Sequence, residues 1–288
     1  MSVINAVVGY NDYSNTIYNP IPYGEALYTT PGTYTWVAPT GVTNVHVVVI
    51  GAGGNIGTYG GGGGGGLAYG NYIPVTPGNS YTVVVGLRGV SNYNNAGKNG
   101  GNSYFINATA IQAQGGGTGY YYSFGTAVPL YGGGGGAAGY SANGARGGSG
   151  YVVGYSNGTS TAGGGGGAYN GSLVTKGNYG GPGGSGFLLY SPFVGTAVGY
   201  TGSNATGGAG GGGGGNSLGS DAYGGGVGVN GEGASGAGGA VTGSDRTGQP
   251  GSGGVLMNYG GGAGVQLPGN GAVRIIYGAG RSFPNNAA

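Results

Sequence analysis

The stretch GTYGGGGGGG, residues 57–66, decides how this chain must be read, because its last seven positions carry no side chain at all. Similar blocks recur at 132–136, 163–167, 180–186, 210–215, 224–226, 251–254 and 260–264. A glycine run has nothing to bury, and glycine loses more backbone freedom on ordering than any other residue. All it offers is N–H and C=O, and buried backbone polar groups have to be paired. A collagen helix would pair them, but it needs glycine at strictly every third position and abundant proline, whereas the glycines here come in consecutive runs without that period and there are only 12 prolines. Pleated sheet is a poor home for a residue that packs nothing. The extended left-handed helix with three residues per turn makes no internal hydrogen bonds and turns its amides outward. Without side chains, such helices can approach closely enough to bond amide to carbonyl. A bundle of polyglycine II helices is therefore expected over residues 115–270.

Composition narrows the rest. Disorder pairs low hydrophobicity with high net charge, but this chain has 26 tyrosines, 4% charged residues and a net charge of +2. Seven scattered cations make no basic patch, so nucleic acid is not an expected partner. No apolar run approaches the roughly 20 residues that span a bilayer, and MSVINAVVGYNDYS lacks the basic start and apolar core of a secretory signal. With no cysteine there is neither a disulfide framework nor a thiolate metal site. No window carries an apolar 3.6-residue period, so no α-helix is expected.

Short strands are legible outside the glycine blocks. Residues 33–37 alternate and end at Pro39; 43–50 is a β-branched run; 67–75 ends at the turn Pro77-Gly78-Asn79; 80–85, 103–106 and 109–113 follow. Strands of this length with turn chemistry between them indicate an antiparallel sandwich. The sequence AVRIIY, residues 272–277, is a further strand without a local partner and is expected to return to the early ones. The organisation read from the chain is an Asn- and Tyr-rich docking arm over 1–30, with Pro20 and Pro22 breaking any regular element. A β-sandwich over 31–114 is completed by 271–277, a polyglycine II region covers 115–270, and a tail covers 278–288. The expected class is all-β, an antiparallel β-sandwich joined to a polyglycine II bundle.

Catalytic and cofactor motifs fail on their requirements. VVVIGAGGNIG, residues 47–57, looks like a dinucleotide fingerprint, but that motif needs a helix next and an acidic residue about 20 positions on. Polyglycine follows instead, and no Asp or Glu lies between Glu25 and Asp221. Lys98 is followed by Asn99, so no phosphate loop forms there. The single histidine, His46, sits in a valine run and reads as a sheet position. Asp221, Glu232 and Asp245 are the only conceivable glycosidase pair, yet GSDAY, GEGAS and GSDRT read as solvated turns. No catalytic residue, metal or cofactor is expected. The sequons at Asn107, Asn157, Asn170 and Asn204 are what this much Asn, Ser and Thr produces by chance.

The inserts between glycine blocks are more telling. Tyr120, Tyr121, Tyr122, Phe124, Tyr151, Tyr155, Tyr190, Phe193 and Tyr200 stand among Ser, Asn, Thr and Gly. Rigid amphipathic rings give contact area at small entropic cost while small polar groups adapt, as in a paratope. These nine are the expected receptor-binding residues; the alternative is that the rings cover the sides of the bundle or a subunit contact.

Two stretches carry a family resemblance. GTYTWVAPTGVTNVHVVVIGAGG (32–54) with GLAYGNYIPVTPGNSYTVVVG (66–86) resembles the glycine-rich domain of bacteriophage tail-fibre and other virion proteins. GNGAVRIIYGAGRSFPNN (269–286) looks like the ending of such proteins in tailed phages. The alternation of glycine blocks and variable inserts is similar to the tail-tip adhesins of T-even-type phages, in which stacked polyglycine II rods carry receptor-facing loops. This chain departs from those adhesins in having a β-domain and a tyrosine-rich N-terminal stretch instead of a fibre-attachment domain. The resemblance implies a virion protein without enzymatic activity, a tail fibre or adhesin. Its implied partners are other virion proteins through the arm, further copies of itself in a homo-oligomer such as a trimer, and a bacterial surface glycan or outer-membrane protein. A purely structural fibre shaft or capsid decoration is the alternative, with an ice-binding or cell-wall protein behind it.

Overall fold

A computed structural model describes residues 22–57, 60–90, 99–119, 123–124, 134–145, 150–152, 165, 168–169, 172–174, 176–181, 188–189, 197–199, 204, 206, 209, 224–239, 259–262 and 267–288. The strands are β1 (Gly24–Tyr28), β2 (Gly32–Val37), β3 (Asn44–Ile50), β4 (Leu67–Pro74), β5 (Ser80–Val85), β6 (Ser103–Phe105), β7 (Ile111–Ala113), β8 (Ser123–Phe124), β9 (Gly150–Val152), β10 (Ala168–Tyr169), β11 (Lys176–Asn178), β12 (Leu188–Leu189), β13 (Ala197–Gly199) and β14 (Ala272–Tyr277). There is no helix among the described residues, so the chain is all-β.

Two five-stranded antiparallel sheets, ordered β1-β14-β3-β4-β11 and β10-β7-β6-β5-β2, face each other. Trp36, Val45, Val47, Val49, Val83, Phe105, Ile111, Val273 and Ile275 fill the space between them. Residues at even spacing line one face of a strand, so Val48, Ile50, Leu67, Tyr69, Ala272 and Ile276 face the other way. There they meet a second apolar layer of Ala137, Ala138, Tyr140, Val227, Val229 and Phe283. The first sheet is thus buried on both faces, which is why β3 reads as an unbroken valine run rather than an alternating one.

The glycine runs continue the strands beyond one end of the sandwich. β3 runs into 51–54, 60–66 runs into β4, β7 into 114–119, β11 into 179–181, and 267–271 into β14. Run 60–66 lies at the centre. The amide of Gly63 donates to the carbonyl of Gly117, Gly64 to Gly181, Gly65 to Gly260 and Gly66 to Gln114, at 2.6–2.9 Å. Three successive amides therefore reach three different segments, and the fourth returns to the first. That is the signature of three residues per turn; in a pleated strand the period would be two. The carbonyls repeat the rule: those of residues 63 and 66 accept from Gly54 and Gly51, and those of 62 and 65 accept from Gly135 and Ala138. Five neighbouring segments are bonded to this run, one short of the six around each helix in a full hexagonal polyglycine II array.

The close approach is what makes glycine obligatory. A Cβ at Gly64 would fall on the Gly136 carbonyl oxygen, and one at Gly116 on that of Gly63. In each case the obstacle is backbone, with no flexible side chain to move aside. The Cα–H groups consequently face neighbouring carbonyls, a weak but recurrent attraction.

Three elements differ from the expectation. Residues 24–28, read as part of the arm, form β1, because β14, distant in sequence, offers them a ladder from Gly24↔Tyr277 to Tyr28↔Val273. Within the region read as polyglycine, β10 and β11 join the two sheets by pairing with β7 and β4. The segment 278–288, read as a tail, is held down: Phe283 stacks on Tyr140 with ring centroids 6.1 Å apart, and Ala287 is buried.

Candidate functional site: an insert-bearing pole

Rod direction determines where each insert emerges. Rod 114–119 runs antiparallel to 60–66, pairing 66 with 114 and 63 with 117, so it leads away from the sheets and the chain leaves it at Gly119. Rod 134–138 pairs 62 with 135 and 65 with 138, so the chain returns toward the sheets. A tight turn, in which the Gly139 amide donates to Ala142 at 2.9 Å, reverses it, and Ala145 then accepts from Gly136 on the outward run. The next return reaches β10, and β11 leads outward again through Gly181, bonded to Gly64. The chain therefore leaves its outward rods after Gly119, Ala145 and Gly181 at one pole, away from the sheets, while the turn at 139–142 lies at the sandwich.

Strand pairs at that pole tie the three inserts together. β8 of the first insert pairs in parallel with β12 of the third, Ser123 with Leu188 and Phe124 with Leu189. β9, at the start of the second, pairs antiparallel with β13, Tyr151 with Val198. Among the nine expected receptor-binding residues, Phe124 lies in β8 and Tyr151 in β9, on separate two-stranded ladders that share the third insert. Tyr120, Tyr121, Tyr122, Tyr155, Tyr190, Phe193 and Tyr200 lie outside the described residues. Among the described residues, one aromatic ring that serves the scaffold is Tyr140, which is fully buried, its hydroxyl donating to the Gly228 carbonyl at 3.0 Å and accepting from the Gly231 amide at 3.2 Å. Burial pushes its ionisation far upward.

The opposite pole holds Glu25, Arg274 and Arg281 together with the chain's single histidine. Glu25 on β1 accepts from Arg274 of β14 at 2.6 Å and from Arg281 at 2.9 Å. Those two hydrogen bonds hold its carboxyl below the ordinary range, although it is half exposed. Tyr23, beside β1, donates to the Ala288 carbonyl, so the two ends of the described chain meet here. His46 is buried in β3 at a register shift between Val45 and Val47, and burial lowers its pKa. No motif announces this network, because Arg274 is the one charged residue in an otherwise apolar strand and its partners, Glu25, Val229 and Asn230, come from two remote segments.

The fingerprint-like residues 47–57 are accounted for by the lattice. The amides of Gly51, Gly53 and Gly54 donate to Gly66, Gly269 and Gly63, so this turn presents no free nest of N–H groups for a phosphate. Among the described residues, no three His, Asp or Glu side chains gather as metal ligands, and no helix is long and apolar enough to cross a membrane.

The model of the glycine-rich domain family matches residues 29–278. No curated protein is matched by the chain. The match covers every strand except β1, together with the glycine rods, and the chain belongs to the glycine-rich domain family.

Proposed function

We propose that this is a non-enzymatic virion protein of a tailed bacteriophage, a tail fibre or its adhesin tip, that meets a bacterial surface glycan or outer-membrane protein through its tyrosine-rich inserts. The observation that carries the reading is polarity. The rods that lead into the three aromatic, Ser/Asn-rich inserts run outward to one pole, short strand pairs join 123–124 to 188–189 and 150–152 to 197–199, and residues 22–28 and 278–288 meet at the other pole. A receptor-facing end and an attachment end are thereby separated by a rigid body. The attachment end would engage other virion proteins through residues 1–30. A scaffold held by backbone hydrogen bonds does not depend on insert side chains, so the inserts are free to change with the receptor.

Binding of fluorescently labelled full chain to a panel of bacterial strains, with competition by purified surface glycan, tests this. A variant with Tyr120, Tyr121, Tyr122 and Tyr190 replaced by alanine should lose cell binding and keep its melting temperature. Unchanged binding with a collapsed melting temperature would place those rings in the scaffold and remove the proposal.

A further inference from the structure

The geometry points to a second binding site, at the attachment pole, and we propose that it takes a single neutral sugar ring. A cleft of about 230 Å³ opens there between the loop before β3, the middle of β4 and the segment after β14; Thr43, Asn44, His46, Tyr72, Tyr277 and Arg281 are among its lining residues. Four residues at its walls have left-handed backbone: Gly41 (φ 83°), Gly278 (124°), Gly280 (80°) and Tyr72 (57°). For Tyr72 that conformation is strained, and strain of this kind persists where surrounding structure imposes it. Tyr72 also stands in a bulge of β4, where Asn71 and Tyr72 oppose the single residue His46 of β3, a device that re-aims side chains.

What it aims is a fixed aromatic face. Tyr72 is 72% exposed, yet its ring stands edge-to-face with His46, centroids 4.8 Å apart. His46 is fixed in turn. Asn71 receives the Phe283 amide on Oδ1 at 2.9 Å and gives its Nδ2 to the Phe283 carbonyl at 2.6 Å, which settles the orientation of the amide group. Its Oδ1 must then accept from His46 Nδ1, 2.9 Å away, so the imidazole proton sits on Nδ1 and Nε2 keeps its lone pair. An exposed ring held against a buried imidazole, in a cleft that Thr43 and Asn44 also line, matches a hydroxylated ring: one apolar face, hydroxyls at the edge.

Charge narrows the ligand class. No carboxylate lines the cleft. Arg281 reaches it, but four of its five N–H groups are taken by Ala288, Gly24, Glu25 and Ala287. The His46 lone pair accepts from a hydroxyl and repels an anion. An apolar ligand would leave these polar groups unpaired, and the volume suits one ring, not a chain of them.

The test is nitrogen-15 NMR of the His46 ring in the full chain during titration with D-glucose, D-galactose or N-acetyl-D-glucosamine, with D-glucuronate as the anionic arm. The expected result is a saturable shift of Nε2 by at least one neutral sugar, with Kd on the order of 1 mM. Tyr72→Gly, which suits φ 57° and removes the platform, should keep the fold and weaken binding by about tenfold, and Thr43→Ala should weaken it less. The insert alanine variant should bind the sugar as the wild type does, which separates this site from the insert-bearing pole. No Nε2 shift with any neutral sugar, undiminished binding by Tyr72→Gly, or tighter binding of glucuronate would overturn the proposal.

Discussion

The sandwich and the rod lattice solve opposite problems with the same backbone. Between the sheets, Phe105, Val47 and Ile275 are fully buried and stability follows the apolar area removed from water. Among the rods there is no such area. Each residue contributes about one net hydrogen bond, worth roughly 1 kcal/mol, plus Cα–H contacts of about half that, against roughly 1–2 kcal/mol to order its backbone. The lattice is therefore close to neutral by itself and depends on the strands to start its rods in register. The sandwich supplies the stability and the lattice supplies reach. The two should fail differently, the lattice by any gain in volume and the sandwich by any loss.

The largest effect expected is Gly64→Ala. The added methyl meets the Gly136 carbonyl and must push two rods apart, so a loss of more than about 5 kcal/mol, or failure to fold, is expected in chemical denaturation. Phe105→Ala, the opposite operation in the sandwich, should cost about 3–5 kcal/mol by leaving a cavity. If Gly64→Ala proved milder than Phe105→Ala, the close approach of the rods would be wrong. Tyr140→Phe strands the Gly228 carbonyl and the Gly231 amide where lattice and sandwich meet, and should cost about 1–3 kcal/mol.

Acid should act on the sandwich pole first. His46 is held neutral by burial, with its pKa below the ordinary 6.5, so the unfolded chain takes up the proton first and stability falls as pH drops below that value. Glu25 has its pKa lowered by Arg274 and Arg281; its contribution is present above about 4.5 and is lost as pH falls through the depressed value. Melting temperatures from pH 8 to 3 should show both phases, the second muted because Glu25 is half exposed; Glu25→Gln should remove only the second. Smallest of all should be replacement of residues 125–131, which leaves β8 and its pairing with β12 in place, by a Gly/Ser linker of equal length. Because loop cost depends weakly on length and not on these side chains, stability should change by less than about 0.6 kcal/mol.

Much of the sandwich was legible because its strands advertise themselves. The β-branched runs of β3 and β5 and the turn at Pro77-Gly78 fall where the pattern puts them, and the unbroken run in β3 matches burial on both faces. β1 was not legible, since GEALY is short, follows Pro22, and becomes a strand only beside β14. β10 and β11, sequences AY and KGN, have no propensity of their own and are strands by docking. The period-three lattice could be inferred from composition, but the identity of neighbours could not, because glycine carries no side chain to encode a partner. The insert-bearing pole left one overlooked signal. Tyrosine-rich inserts alternate with short ones such as GYSA at 139–142, as antiparallel rods require if every second crossing is to face the same way. The cleft around His46 gave no sign in sequence, as its walls come from residues 41–46, 72 and 277–281.

Through-hydrogen-bond scalar couplings between glycine nitrogens and carbonyl carbons test the central claim most directly. The lattice predicts coupling of Gly63 to Gly117, Gly64 to Gly181, Gly65 to Gly260 and Gly66 to Gln114: three partners in turn, then a return to the first. Gly63 and Gly65 coupled to one and the same neighbouring segment would mean pleated sheet, and no couplings at all would mean loose coil; either result would contradict the account.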